Sequence, residues 1–193
     1  RLVHISTDYV LTGAPTPGTL LCEEDPVDPR SAYARSKLVG EAAVLSAGAT
    51  VVRVQWVYRP GARGFFTRAM ERLALGQPLS LVVDQVGAPT STAVVAEGLV
   101  AAARGRACGL FQWACTGEVS AYGWIRAGAR CLGLPFEVEM IRRAALPGAS
   151  RPERSVMDTS RFSQAFNVRA VSWKDALQQT VDAEGWRPPS SPP

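Results

Sequence analysis

Between residues 50 and 55 the chain reads Thr-Val-Val-Arg-Val-Gln. A strand with one wet face alternates apolar and polar residues; a Val-rich run without clean alternation belongs to a strand covered on both faces, which is the habit of parallel sheets. Further short apolar runs recur near Leu2–Ser6 and Gly109–Ala114, with briefer ones near Leu79–Val83 and Phe136–Met140. Helical patterns separate them, near Ala32–Ser46, Phe65–Ala74, Thr92–Ala103, Ala121–Cys131, Thr159–Phe166 and Trp173–Ala183. Strands alternating with helices of this length specify an α/β fold built on a parallel sheet.

The segment Ser31-Ala-Tyr33-Ala-Arg-Ser-Lys37-Leu-Val-Gly-Glu41 carries the clearest chemistry. Ser31 suits an N-cap, and the residues that follow are good helix formers. On a helix, Tyr33 and Lys37 lie one turn apart on the same face. A phenol ordinarily ionises near ~10, and a cation one turn away favours the phenolate, which makes the pair a proton donor usable at neutral pH. Only Lys37 and Lys174 are lysines among 21 basic residues; the rest are arginines. Lysine suits this work because its charge is compact and tunable. Upstream, Leu2-Val-His-Ile-Ser6-Thr7-Asp8-Tyr9-Val10 reads as a strand ending in hydroxyl groups. Active residues of open α/β sheets gather at the carboxyl ends of strands, so Thr7 places a hydroxyl where a carbonyl could be held. The spacing alone is also compatible with a surface helix bearing a half-buried tyrosine.

Several runs in order resemble the extended short-chain dehydrogenase/reductases, and within them the dTDP-4-dehydrorhamnose reductase family. They are Ser6-Thr7-Asp8-Tyr9-Val10, Glu24-Asp25-Pro26, Tyr33-x-x-x-Lys37 with Gly40-Glu41, Arg53-Val-Gln-Trp56-Val-Tyr58, Asp84-Gln85-Val-Gly87-Ala-Pro89-Thr90 and Arg151-Pro152-Glu-Arg-Ser155. The resemblance covers about residues 1–180. It implies a Rossmann-like sheet, incomplete in this chain, and a small C-terminal α/β substrate-binding region. The corresponding division is 1–75 for the sheet half with the Tyr/Lys helix, 76–187 for the mixed substrate-binding region, and 188–193 for a disordered Pro-rich tail.

The resemblance also implies the activity: NADPH- or NADH-dependent reduction of a nucleotide-linked 4-keto-6-deoxy sugar, in the cytoplasm, for cell-surface polysaccharide synthesis. Thr7, Tyr33 and Lys37 would be catalytic. Ser6, Tyr33, Lys37 and Trp56 would meet the cofactor. Asp8, Tyr9, Trp56, Gln85, Thr90 and Arg151 would meet the nucleotide-diphosphate sugar, with Arg154 a second arginine for its diphosphate. Gly64 stands where the family has Asn, which removes a side-chain donor from that loop. The regulatory subunit of methionine adenosyltransferase resembles the same family, so a non-catalytic nucleotide-binding subunit is the alternative.

No Gly-x-Gly-x-x-Gly or Gly-x-x-Gly-x-x-Gly turn opens the chain. Such a turn brings backbone N–H groups to a dinucleotide pyrophosphate. The expectation is therefore the C-terminal portion of a longer reductase, weak in cofactor binding and inactive alone, whose first strand has an open edge that either pairs with another copy or exposes a sticky surface.

Composition removes other classes. The net charge of +4 comes from scattered arginines, with Arg104-Gly-Arg106 and Arg142-Arg143 the densest spots. Nucleic-acid binding asks for a concentrated basic face, so that partner is not expected. No apolar run reaches the ~18 residues of a membrane span. One His and four Cys without a Cys-x-x-Cys pair speak against zinc.

Overall fold

The computed structural model describes residues 1–13, 16–145 and 152–189. In chain order the elements are β1 (Val3–Thr7), α1 (Ala32–Ser46), β2 (Thr50–Val54), β3 (Val57–Tyr58), α2 (Phe65–Ala74), β4 (Ser80–Val82), β5 (Val86–Gly87), β6 (Thr90–Ser91) and α3 (Thr92–Arg104). Then come β7 (Gly109–Gln112), β8 (Val119–Ser120), α4 (Ala121–Cys131), β9 (Glu139–Ile141), α5 (Ser160–Phe166) and α6 (Trp173–Glu184). Single 3₁₀ turns follow β1 at Asp8–Val10 and β9 at Arg143–Ala145.

The main sheet has the order β1-β2-β7, all parallel. Val3 pairs with Thr50 and Thr7 with Val54; Thr50 in turn pairs with Gly109 and Arg53 with Gln112. Every residue of β2 is buried, as its Val-rich run requires. This is the expected α/β architecture with a Rossmann-like parallel sheet. Expected and observed strand limits differ by one or two residues at most places, but the strand expected at Phe136–Met140 lies later, at Glu139–Ile141.

The sequence reads β1 as apolar on both faces with one edge lacking a partner, and it stands at the edge of the sheet. Among the described residues it pairs only with β2, and Leu2 and Ile5 are 54% and 41% exposed. The edge away from β2 therefore carries the open backbone groups of an unpaired strand.

α1 is the crossover between β1 and β2. Ser31 Oγ caps it, accepting from Ala34 N at 3.1 Å, and Gly48 at φ +67° turns the chain into β2. Gly40 lets the helix approach the sheet: a Cβ there would come within 3.0 Å of His4 Nε2. The larger core gathers Phe66, Met70, Phe111, Trp113, Trp124, Phe162 and Leu177, so side chains from both sides of residue 75 share one interior. The pairs β3–β6, β4–β9 and β5–β8 form three small two-stranded ribbons beyond the main sheet. Of the expected disordered tail, residues 190–193 lie outside the described residues.

Candidate active site

β1 ends at Thr7, and α1 begins nearby because a parallel crossover must return along the sheet. Two observations fix the relative height of helix and strand. Lys37 Nζ donates to Ile5 O at 3.0 Å. The Tyr33 ring meets the Tyr9 ring edge-on, with centroids 6.4 Å apart. One helical turn from Lys37 to Tyr33 covers ~6 Å. Two strand residues from Ile5 to Thr7 cover about 6.6 Å. Tyr33 is thus carried to the level of Thr7 at the carboxyl end of β1. The residue is 52% exposed.

Leu2 O accepts from Thr50 N of β2's first residue, and alternate residues of a parallel strand turn to opposite sides, so Ile5 O faces the open edge. Lys37 thereby satisfies an acceptor that no neighbouring strand takes.

Thr7 is 6% exposed. Its Oγ1 accepts from Tyr9 N at 3.3 Å and donates to Asp8 Oδ1 at 3.2 Å. The remaining Asp8 oxygen accepts from Ser155 Oγ at 2.6 Å and Gln55 Nε2 at 3.1 Å. Burial pushes the Asp8 carboxyl up to about 6, against the lowering effect of these donors. Gln55 Oε1 accepts from Ala88 N at 2.8 Å, which ties the residue after β5 to the same network.

Trp56, the next residue, has φ +40°. A bulky residue in the left-handed region marks a constrained site. Its indole lies across Gly87, where a Cβ would come within 2.6 Å, and leans on Trp124 at 5.9 Å. Gly87 is therefore required by contact: any side chain would displace the ring. Trp56 is half-buried and presents the rest of its indole beyond the carboxyl end of β2.

Other expected contacts are corrected by burial. Ser6 is 1% exposed and its hydroxyl donates inward to Glu41 Oε1 at 2.5 Å, so that side chain is turned away from the surface. Alternation along β1 turns Ser6 and Thr7 to opposite faces. Glu41 also takes a two-pronged ion pair from Arg53, at 2.9 and 2.7 Å, with both side chains enclosed. The Asp8 carboxylate, 2% exposed, is likewise spent within the fold. Thr90 is fully buried; its hydroxyl donates to Ala88 O and accepts from Cys115 N, so its hydrogen is spent within the fold.

Gln85 is 7% exposed and its carbonyl accepts from Ala121 N. The preceding Asp84 accepts from Arg143 N at 2.7 Å, a structural use for the acid of that pair. Arg154 does not reach for a phosphate: it donates to Thr16 O and Thr19 O and pairs with Glu118, pinning the 16–19 loop. Arg151 lies outside the described residues. Gly64 N-caps α2 without a side-chain bond, in extended conformation with open space around it. An Asn there would fit as a helix cap, so its loss costs only a few tenths of a kcal/mol.

Sequence reasoning missed the roles of Gln55 and Ser155. Both lie inside the runs that carry the resemblance, yet nothing in either run says that they meet across the fold. A cavity of about 410 Å³ lined in part by Thr116, Asp158 and Arg169 was also unforeseen; none of the expected site residues lines it. Among the described residues no helix is long and apolar enough to cross a membrane.

Comparison with known proteins places the chain in a family. The RmlD substrate binding domain family matches residues 1–185. A dTDP-4-dehydrorhamnose reductase of Mycolicibacterium smegmatis is 38% identical over 191 residues, covering 94% of this chain and 57% of the relative. One from Mycobacterium tuberculosis is 38% identical over 197 residues, covering 95% and 63%. The crystal structure of a dTDP-4-dehydrorhamnose reductase from Clostridium acetobutylicum superposes with a TM-score of 0.85 at 30% identity, covering 95% of this chain and 66% of that one. The Bacillus anthracis enzyme, solved in complex with NADP, gives 0.85 at 25% identity, covering 95% and 65%. The chain thus spans less than two thirds of the length of these relatives.

Proposed function

Because this chain belongs to the RmlD substrate binding domain family, we propose that it serves an NADPH- or NADH-dependent reductase of a nucleotide-linked 4-keto-6-deoxy sugar, of the dTDP-4-dehydrorhamnose type. The observation that carries the reading is the Tyr33–Lys37 pair, held at the end of β1 with Tyr33 exposed and the ammonium at Ile5 O. A nicotinamide cofactor held beside Tyr33 and Lys37 would supply the hydride. Tyr33 gives its proton to the oxygen of the reduced ketone. Lys37 keeps positive charge beside that phenol and is free to turn to a cofactor ribose from its position at the open edge. Thr7 orients the carbonyl oxygen. Trp56 offers an apolar wall to the deoxysugar, and the family resemblance adds Tyr9, Gln85 and Arg151 as contacts of the sugar nucleotide.

The residues fit a nicotinamide cofactor in one testable respect. Tyr33 and Lys37 lie along the carboxyl half of β1, and in doubly wound folds cofactors lie outside the carboxyl ends of the strands. The cytoplasm, where nucleotide sugars are made, is the matching compartment. An intact Thr7, Tyr33 and Lys37 set speaks against a non-catalytic subunit, which has no use for all three.

The direct assay adds NADPH and dTDP-4-dehydrorhamnose to the full-length protein and follows nicotinamide absorbance. Steady oxidation that depends on the sugar is expected. Nucleotide binding without turnover would instead select the regulatory reading.

We further propose that the open edge of β1 is a pairing surface for another strand, from a second copy when this chain is alone. Sedimentation velocity on residues 1–193 should reveal concentration-dependent association; a single monomer species at all concentrations would contradict it.

A further inference from the structure

A hydroxyl carries a single hydrogen, and Thr7 directs its hydrogen to Asp8 Oδ1 while receiving one from Tyr9 N. In that state Thr7 cannot also donate to a substrate carbonyl. Asp8 is held from its other side by Ser155 Oγ and Gln55 Nε2, and Gln55 Nε2 also donates to Ser155 Oγ at 2.8 Å. Ser155 is itself located by the hydrogen bond from its N–H to Val86 O at 3.2 Å. Asp8, Gln55 and Ser155 are all at or below 2% exposure. A buried carboxylate met only by neutral donors is costly, and an apolar side chain would fill the space more cheaply.

We propose that Asp8 is a positioning residue: its carboxyl group sets the direction of the Thr7 hydroxyl hydrogen, and Ser155 with Gln55 fixes that carboxyl group. The proposal rests on the reading that Thr7 faces the substrate carbonyl. With Asp8 ionised, the Thr7 hydrogen is drawn inward. When Asp8 takes a proton from solvent on Oδ1, that proton is donated to Thr7 Oγ1, and the Thr7 hydrogen turns toward the ligand oxygen. Apart from the O–H bond formed on Asp8 with a proton given up by solvent, only hydrogen bonds change.

The groups facing Asp8 are neutral: Thr7 of β1, Gln55 after β2 and Ser155 of the returning 152–159 segment. The charged side chains of neighbouring elements are turned elsewhere. Lys37 of α1 donates to Ile5 O, Arg53 of β2 pairs with Glu41, and Arg154 holds Thr16 O and Thr19 O.

The test reads Asp8 directly, by the pH titration of its side-chain carboxyl carbon in NMR, for the wild type, Ser155→Ala, Ser155→Thr and Thr7→Val. Removing either donor should shift the Asp8 midpoint upward, and Ser155→Thr should restore it. Where the assay above shows turnover, Ser155→Ala should extend kcat to higher pH with KM unchanged, because Asp8 then keeps its proton longer and the Thr7 hydrogen stays turned to the ligand. The pH limb of kcat should move with the Asp8 midpoint. An Asp8 titration indifferent to Thr7→Val and to Ser155→Ala overturns the proposal, as does a kcat limb that stays in place while Asp8 moves. Absence of turnover in the wild type would count against the reductase reading alone, since the NMR shifts still decide the coupling.

Discussion

Asp8 shows how much one side chain can conceal. The sequence places it beside Thr7 and suggests a ligand contact; the fold encloses it and raises its carboxyl from the ordinary 3.8 to about 6. The native state therefore holds this proton more tightly than the unfolded chain does. Stability from this group is fully present below about pH 4 and is lost as pH rises through about 6, by roughly 3 kcal/mol. Asp8→Asn should abolish that fall. Urea unfolding of both proteins between pH 4 and 7 measures it, and parallel curves would refute the assignment. Tyr33 and Lys37 were legible because their relation is local: four residues on one helix. The Ser155–Asp8 bond joins residues 147 apart, and no spacing rule reaches that far. Ser6 was misplaced for a simpler reason: a one-residue step along β1 reverses the face.

At the level of elements, helices were the readable part. α1, α2 and α4 occupy the residues their caps and composition indicate, with Ser31 and Ser120 each accepting from a backbone N–H three residues on. The two-residue strands β3, β5, β6 and β8 were invisible, since alternation needs about four residues to register. They are created by tertiary contact, and two of them, β5 and β6, flank the Gly87-Ala88-Pro89 turn beneath Trp56. Helix packing also explains a residue that propensity disfavours. Gly98 lies within α3, where Ala is better by about 1 kcal/mol in a free helix. A Cβ there would sit 2.3 Å from Trp113 Nε1, which donates to Val94 O. Gly98→Ala should thus destabilise the protein by ~1–3 kcal/mol in chemical denaturation. A gain in stability would mean that Trp113 moves freely.

For the molecule as a whole, the ordered set of motifs made the family legible, and the parallel sheet followed from one Val-rich strand. What was not legible is how the pieces close on each other. The 152–159 segment returns to β1 through Ser155, and Arg154 pins the 16–19 loop beside it. These contacts assemble the floor beneath Thr7 and Trp56, so site and fold share one polar core. The account nonetheless stands on a proton delivered by Tyr33. Its most direct test is turnover of dTDP-4-dehydrorhamnose with NADPH by full-length Tyr33→Phe, measured alongside calorimetric binding of the nucleotide sugar. The expected result is a loss of ~10²–10⁴-fold in kcat with binding unchanged; a variant that turns over like the wild type would contradict it.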